Sequence, residues 1–237
     1  MRKFNRKNFE TREISIQKNF VENSDGSCLI CFGKTMVICT AIIENDVPSW
    51  LKGKGTGWVT AEYGMLPGST SSRNRRESKL GKQTGRTTEI QRLIGRSLRS
   101  IIDLNCLGEK SIIVDCDVIQ ADGGTRTASI TGGFVALSLA IKKYMSSNKS
   151  IQDPVKDYVA AISCGIVKNE VLVDLDYSED SIADVDANFV ITQKSGFSEV
   201  QATGEENTFQ KDELVDMMEK VELVSEKIFA IQKGALD

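Results

Sequence analysis

The chain has 237 residues, 40% of them hydrophobic and 27% charged, with a formal net charge of −3 and no histidine. The missing imidazole excludes Ser-His-Asp and Cys-His triads and histidine-ligated zinc, and it removes the usual general base near neutral pH. No apolar run approaches membrane-spanning length, and the basic start Arg2-Lys-Phe-Asn-Arg-Lys7 has no apolar stretch behind it, so the chain is expected to be soluble and cytoplasmic, with no membrane partner.

Apolar alternation predicts strands at Ile14–Lys18, Ser27–Phe32, Thr35–Ile43 and Trp58–Tyr63, with a turn at Ser24-Asp25-Gly26. The six cysteines, at positions 28, 31, 39, 106, 116 and 164, lie mostly inside apolar runs, where a thiol acts as a small hydrophobe. Cys28 and Cys31 have CxxC spacing, but in a strand that spacing points them to opposite faces. With no second CxxC and no histidine, a zinc or redox role is not expected.

Ser69 to Thr84 reads as a long polar loop, a feature that is usually functional or disordered inside a compact domain. A helix is predicted from about Thr88 to Leu104, with Ile90, Leu93, Ile94, Leu98, Ile101 and Ile102 on its apolar face. Thr88 and Gln91 have capping-box spacing, which leaves Gly85 and Arg86 just outside the helix start. Arg92, Arg96 and Arg99 recur on the opposite face. Together with Arg73, Arg75, Arg76, Lys79, Lys82 and Arg86 they face only Glu77 and Glu89 between Gly68 and Arg99. A basic loop plus a basic stripe suits a polyanion held by its phosphates. A solvated face or a subunit contact is the alternative.

Ile112–Ile119 reads as a buried strand, and a helix follows from about Thr127 to Met145 with Ile130, Phe134, Leu137 and Ile141 inward. Between them, Gln120-Ala-Asp-Gly-Gly-Thr-Arg-Thr127 has the makings of an anion site. Two glycines let an anion approach the backbone, Thr125 or Thr127 caps the helix, and Arg126 sits in its first turn. Arg86 stands in a similar place upstream. Two arginines beside two helix starts could grip one tetrahedral anion, because planar guanidinium forks pair with phosphate oxygens bidentately.

Further strands are predicted at Tyr158–Val167, Val171–Asp176, Ala187–Thr192 and Glu199–Thr203, and a closing helix from about Asp212 to Lys233. Tyr177 to Asp186 is dense in acids: Glu179, Asp180, Asp184 and Asp186. Such hard oxygen ligands suit Mg²⁺ or Mn²⁺ bridged to phosphate, while a solvated acidic loop is the alternative. Residues 1–110 hold 19 Lys+Arg against 11 Asp+Glu, and residues 111–237 hold 11 against 22, so a basic half precedes an acidic one. No linker or low-complexity segment divides residues 1–237, which are read as a single domain.

The chain resembles the bacterial ribonuclease PH family over nearly its whole length. The resemblance is carried by Leu51-Lys-Gly-Lys-Gly-Thr-Gly-Trp-Val-Thr-Ala-Glu-Tyr-Gly-Met-Leu-Pro67, by Gly85-Arg-Thr87 through Arg99, and by Asp115 through Gly132. Leu175-Asp-Tyr-Ser-Glu-Asp-Ser181 with Asp186, and Glu199-Val-Gln-Ala-Thr203, extend it. It implies an α/β ribonuclease PH fold of mixed sheets packed with helices, similar to the second domain of ribosomal protein S5. It also implies a homohexamer built as a trimer of dimers. The implied activity is phosphorolytic 3′-to-5′ trimming of RNA, notably of tRNA precursors, which releases nucleoside 5′-diphosphates and can run in reverse.

Carried over residue by residue, the resemblance assigns inorganic phosphate, the co-substrate, to Arg86, Gly124, Thr125 and Arg126, with a hydroxyl from Ser129. It assigns Mg²⁺ or Mn²⁺ and proton transfer to the leaving 3′ oxygen to Asp180 and Asp186, and RNA guidance to Arg73, Arg76, Arg92 and Arg99. The chain departs from the family pattern at its start, which lacks a proline-aspartate-glycine segment, at Gly68, where an arginine is common, and at Arg75, where a small residue is usual. A catalytically inactive ring-forming RNA-binding subunit is the rival reading. Retention of Arg86, Arg126, Asp180 and Asp186 speaks against it.

Overall fold

The structure is a computed structural model that describes all residues except 1, 3, 4, 149–151, 205 and 206. Its first half builds a five-stranded sheet from β1 (Ile14–Lys18), β2 (Gly26–Phe32), β3 (Thr35–Glu44), β4 (Trp58–Met65) and β5 (Ser111–Gln120). The order is β1-β2-β3-β5-β4, antiparallel except for the β4–β5 pair. Helices α1 (Glu77–Leu80) and α2 (Gly85–Ser100) lie between β4 and β5 in sequence, and α3 (Thr125–Ser147) follows β5. The second half is an antiparallel sheet of order β7-β6-β8-β9, from β6 (Val159–Val167), β7 (Glu170–Val173), β8 (Val185–Thr192) and β9 (Gly196–Gly204). The short helix α4 (Tyr177–Asp180) joins β7 to β8, and α5 (Lys211–Leu236) closes the chain.

This is the expected α/β architecture, and α3 is its centre. The helix packs on β2 and β3 of one sheet and on β6 of the other, so it is apolar or small-sided nearly all round. One hydrophobic cluster runs from Val37 and Cys39 through Phe134 and Leu137 to Ala160, Phe189, Met217 and Ile228. Cys28, Cys39 and Cys116 are paired across β2, β3 and β5 and face this helix. Hydrogen bonds with Cys116 and Cys28, together with burial, push the Cys39 thiol well above its ordinary range. A Cβ at Gly132 would lie 2.6 Å from Ile30 and 2.9 Å from the Cys39 sulfur, so the helix touches the sheet this closely only because Gly132 has no side chain.

Several boundaries differ from the predicted ones, and three of them have an identifiable cause. Helix α2 starts four residues before Thr88 would have capped it, because Thr84 is the cap and accepts from the Thr87 amide at 3.2 Å. Glu77 secures that start by accepting from the Thr87 hydroxyl at 2.7 Å and the Thr84 amide at 3.1 Å. The same helix stops at Ser100 because residues 101–103 pair with 154–156: Lys156 N–H donates to Ile101 and Asp103 N–H to Pro154, both at 2.8 Å. Strand β7 ends at Val173 because Asp174 turns left-handed, with φ 57°.

Candidate functional site

The two predicted anion devices meet at one cleft of about 780 Å³. Arg86 and Thr87 line it from the start of α2, Gly123 to Thr125 from the start of α3, and Tyr177 and Asp180 from α4. Gly124, not a threonine, is the cap of α3, with φ 65° after φ 78° at Gly123. A Cβ at Gly123 would lie 2.5 Å from the Leu175 carbonyl oxygen, so the glycine lets the α3 start rest directly on the backbone leading into α4. Tyr63, buried on β4, shares a 2.8 Å hydrogen bond between its hydroxyl and that of Thr125. Burial raises the phenol above its ordinary range even though this bond and the nearby arginines lower it. At neutral pH Tyr63 is therefore a fixed dipole rather than a base.

Not every predicted residue faces this cleft. Arg126, though it follows Thr125 directly, lines a second cavity of about 470 Å³ together with Glu89, Asp186, Asn188 and Gln201. Its guanidinium stands 3.5 Å from the Gln201 side-chain oxygen and 3.8 Å from Glu89. Both contacts are at the outer limit of such interactions, so turning the side chain toward an anion at the α3 start would cost little. Ser129 lines neither cavity. It is fully buried, and its hydroxyl donates to the Thr125 carbonyl at 2.8 Å, which corrects the expectation of a phosphate-binding hydroxyl there.

The acidic stretch is a capped turn rather than an open loop. Asp176 caps α4 and accepts from the Ser178 and Glu179 amides, while the Glu179 carboxylate accepts from the Asp176 amide. Glu179 points inward to a bidentate pair with Arg2, at 2.7 and 2.9 Å, and to Arg6 at 3.1 Å. Burial raises its pKa, but these two arginines and the Asp176 amide more than reverse that and hold the carboxyl below its ordinary value. Asp180 is turned outward to the main cleft, whereas Asp186 is the second residue of β8, opposite Thr203 of β9. Among the described residues no cluster of three or more Asp, Glu or Cys side chains is spaced to hold a metal ion. Asp180 lines the main cleft and Asp186 the second cavity, and each offers a hard carboxylate oxygen of the kind that suits Mg²⁺ or Mn²⁺, ions that bind through one or two carboxylates, waters and substrate phosphate.

The basic region divides in the same way. Arg73, Arg76 and Arg92 are exposed, and Arg76 lines the main cleft with Arg75. Arg96 is exposed but paired with Glu199 on β9 at 2.7 Å. Arg99 lies 4.3 Å over the Trp58 ring and donates to the Val59 carbonyl at 2.7 Å, so it braces α2 on β4. Of the predicted stripe, Arg92 alone has neither an ion pair nor a ring contact among the described residues. Sequence reasoning missed Arg12 and Thr35, which hold the Asp122–Gly124 turn from beneath. No local pattern marks either one, because their partners in the turn and at Asp174 are 87 to 162 residues away.

Comparison with known proteins decides the family. The 3′ exoribonuclease family, domain 1, matches residues 10–142, and its domain 2 matches residues 157–220. Ribonuclease PH of one strain of Cereibacter sphaeroides is 52% identical over 236 residues, covering 100% of both chains, and two further strains give the same identity. The chain belongs to the ribonuclease PH family of 3′ exoribonucleases. It is a phosphorolytic 3′-to-5′ exoribonuclease, and nothing in these comparisons favours an inactive subunit. The fold extends further than the sequence. Rice (Oryza sativa) Rrp46 superposes with a TM-score of 0.80 at 18% identity over 100% of both chains. A chain of the Archaeoglobus fulgidus exosome with RNA bound to the active site superposes with a TM-score of 0.75 at 22% identity, over 94% of this chain and 90% of that one.

Proposed function

We propose that this chain trims RNA 3′ ends, tRNA precursors foremost, at the cleft between the starts of α2 and α3, with inorganic phosphate as the attacking group. The observation that carries the reading is the convergence of Arg86 with Gly124 and Thr125 on one cleft in a chain without histidine. Phosphate is already ionised, so it attacks the last phosphodiester without a histidine base. Arg86 and the backbone N–H groups at the α3 start bind and orient it, and Arg126 swings from Gln201 to complete the grip. Positioning and charge neutralisation then carry the reaction.

Asp180 and Asp186 would hold Mg²⁺ or Mn²⁺, which would supply charge neutralisation for phosphate oxygens. The same pair assists proton transfer to the leaving 3′ oxygen. Arg73, Arg76 and Arg92 guide the RNA by its phosphates. A homohexamer built as a trimer of dimers belongs to the same reading, and exposed Ile42, Trp50 and Leu223 supply apolar surface for subunit contacts. The described helices include none long and apolar enough to cross a membrane, in keeping with a cytoplasmic enzyme.

The deciding experiment incubates the protein with 3′-extended tRNA, with and without phosphate, and identifies the released nucleotide. Nucleoside diphosphates, formed only when phosphate is present, are expected. Monophosphates released equally fast without phosphate would mean hydrolysis and would sink the mechanism. Replacing both Arg73 and Arg76 by alanine is expected to reduce the salt slope of RNA binding by about two phosphate contacts, with phosphate dependence unchanged. An unaltered slope would mean that this loop does not touch RNA.

A further inference from the structure

We propose that Arg12 is a positioning residue for the phosphate site: its buried guanidinium holds the Asp122–Gly124 turn against the segment that leads into α4. The inference rests on the assignment of phosphate to the α3 start. Arg12 lies in none of the segments that carry the family resemblance and in neither cavity. Its side chain is 4% exposed and that of its partner Asp174 is 2% exposed.

The guanidinium is fully used. Nε donates to one oxygen of Asp174 at 3.0 Å, and one terminal nitrogen donates to the other at 2.6 Å and to the Gly123 carbonyl at 3.4 Å. The remaining nitrogen donates to the Asp122 carbonyl and to the Thr35 hydroxyl. Every N–H of the fork thus has an acceptor, an arrangement that only the planar five-donor arginine fits. Thr35 reinforces the turn by donating to the Gly123 carbonyl at 2.6 Å and accepting from the Asp122 amide at 2.9 Å.

Two consecutive carbonyls, those of Asp122 and Gly123, therefore point toward Arg12. In a planar trans peptide the N–H points opposite to the carbonyl. Holding these carbonyls inward turns the N–H groups of Gly123 and Gly124 outward, on the side where both glycines line the cleft. Successive N–H groups aimed to one side form an anion-binding concavity, and Arg12 sets that orientation without touching the anion.

The other end of the brace sets the acidic turn. Asp174 takes a left-handed backbone, φ 57°, its amide donates to the Ser163 carbonyl at 2.6 Å, and its carboxylate also accepts from the Arg12 amide at 2.6 Å. From there the chain passes beneath Gly123 and into α4, which carries Asp180. One buried ion pair thus registers the phosphate turn against the acidic turn. Such a pair contributes little net stability; Arg6 also stands 3.5 Å from the Asp174 carboxylate, so loss of Arg12 leaves Asp174 a cation but frees the turn carbonyls, whereas loss of Asp174 leaves the buried Arg12 charge unmatched.

The test compares wild type, Arg12→Lys, Thr35→Val and Thr35→Ser in steady-state phosphorolysis, with thermal melting and RNA binding alongside. Arg12→Lys keeps the charge beside Asp174 but cannot reach both carbonyls. It is expected to raise the KM for phosphate at least about tenfold, while the KM for RNA moves less than about twofold. Thr35→Val should shift the phosphate KM the same way by a smaller factor, and Thr35→Ser, which keeps the hydroxyl, should restore it. If Arg12→Lys does not fold, the Thr35 pair decides. A folded Arg12→Lys with an unchanged phosphate KM, or a Thr35→Val that only melts earlier, would overturn the proposal. A wild type whose rate ignores phosphate would instead remove the site assignment itself, and the positioning role with it.

Discussion

Asp186→Asn is expected to lower turnover at least about a hundredfold, in phosphorolysis and in diphosphate-driven polymerisation alike. Both directions share one transition state, so a group that neutralises charge there is missed equally in each. The substitution preserves the shape of a half-buried side chain at the start of β8, opposite Thr203, so melting should change little. RNA binding should also hold, because Arg73, Arg76 and Arg92 are untouched. Rates measured across a magnesium titration check the idea. A variant with near-normal turnover at low magnesium would show that this carboxylate neither holds a cation nor assists the proton.

Arg126→Ala removes the second guanidinium of the proposed phosphate grip, leaving Arg86 and the α3 start. The phosphate concentration needed for half-maximal rate should rise about tenfold or more, and kcat should fall by about two orders of magnitude. Because the guanidinium's polar contacts among the described residues are the long ones to Gln201 and Glu89, at 3.5 and 3.8 Å, its loss should hardly affect stability. Arg126→Lys should recover part of the charge but not the bidentate grip. If Arg126→Ala kept the wild-type phosphate dependence, the side chain would belong to the second cavity alone, and Arg86 with the glycine turn would be the whole phosphate site.

Much of this was legible along the chain because it depends on neighbours in sequence. Period-two and helical alternation placed each major strand and helix to within a few residues. The glycines and arginines before two apolar helices marked both anion devices. Where the cue came from far away, local reading slipped. Thr88 has good capping-box spacing, yet Glu77 secures Thr84 instead. Ile101 and Ile102 continue the helical pattern, but pairing with residues 154–156 draws them out of the helix.

Side-chain direction was the larger gap. Arg99 has the spacing of an exposed stripe but stacks on Trp58, and Ser129 stands near the phosphate turn but points into α3's own backbone. Arg2 and Arg6 read as a basic, unpatterned start and are in fact the partners of Glu179.

The sequence by itself determined the residue types available for chemistry, the order of elements and the family, since composition, periodicity and motif are local properties. Only the tertiary structure decided that Arg86 and Asp180 share a cleft while Arg126 and Asp186 share another, and that Arg12 underlies the turn between them. Those facts depend on pairs such as Arg12 and Asp174, 162 residues apart. Such pairs are chosen by how α3 seats between two sheets, and a buried charge accepts only the partner that the packing brings to it.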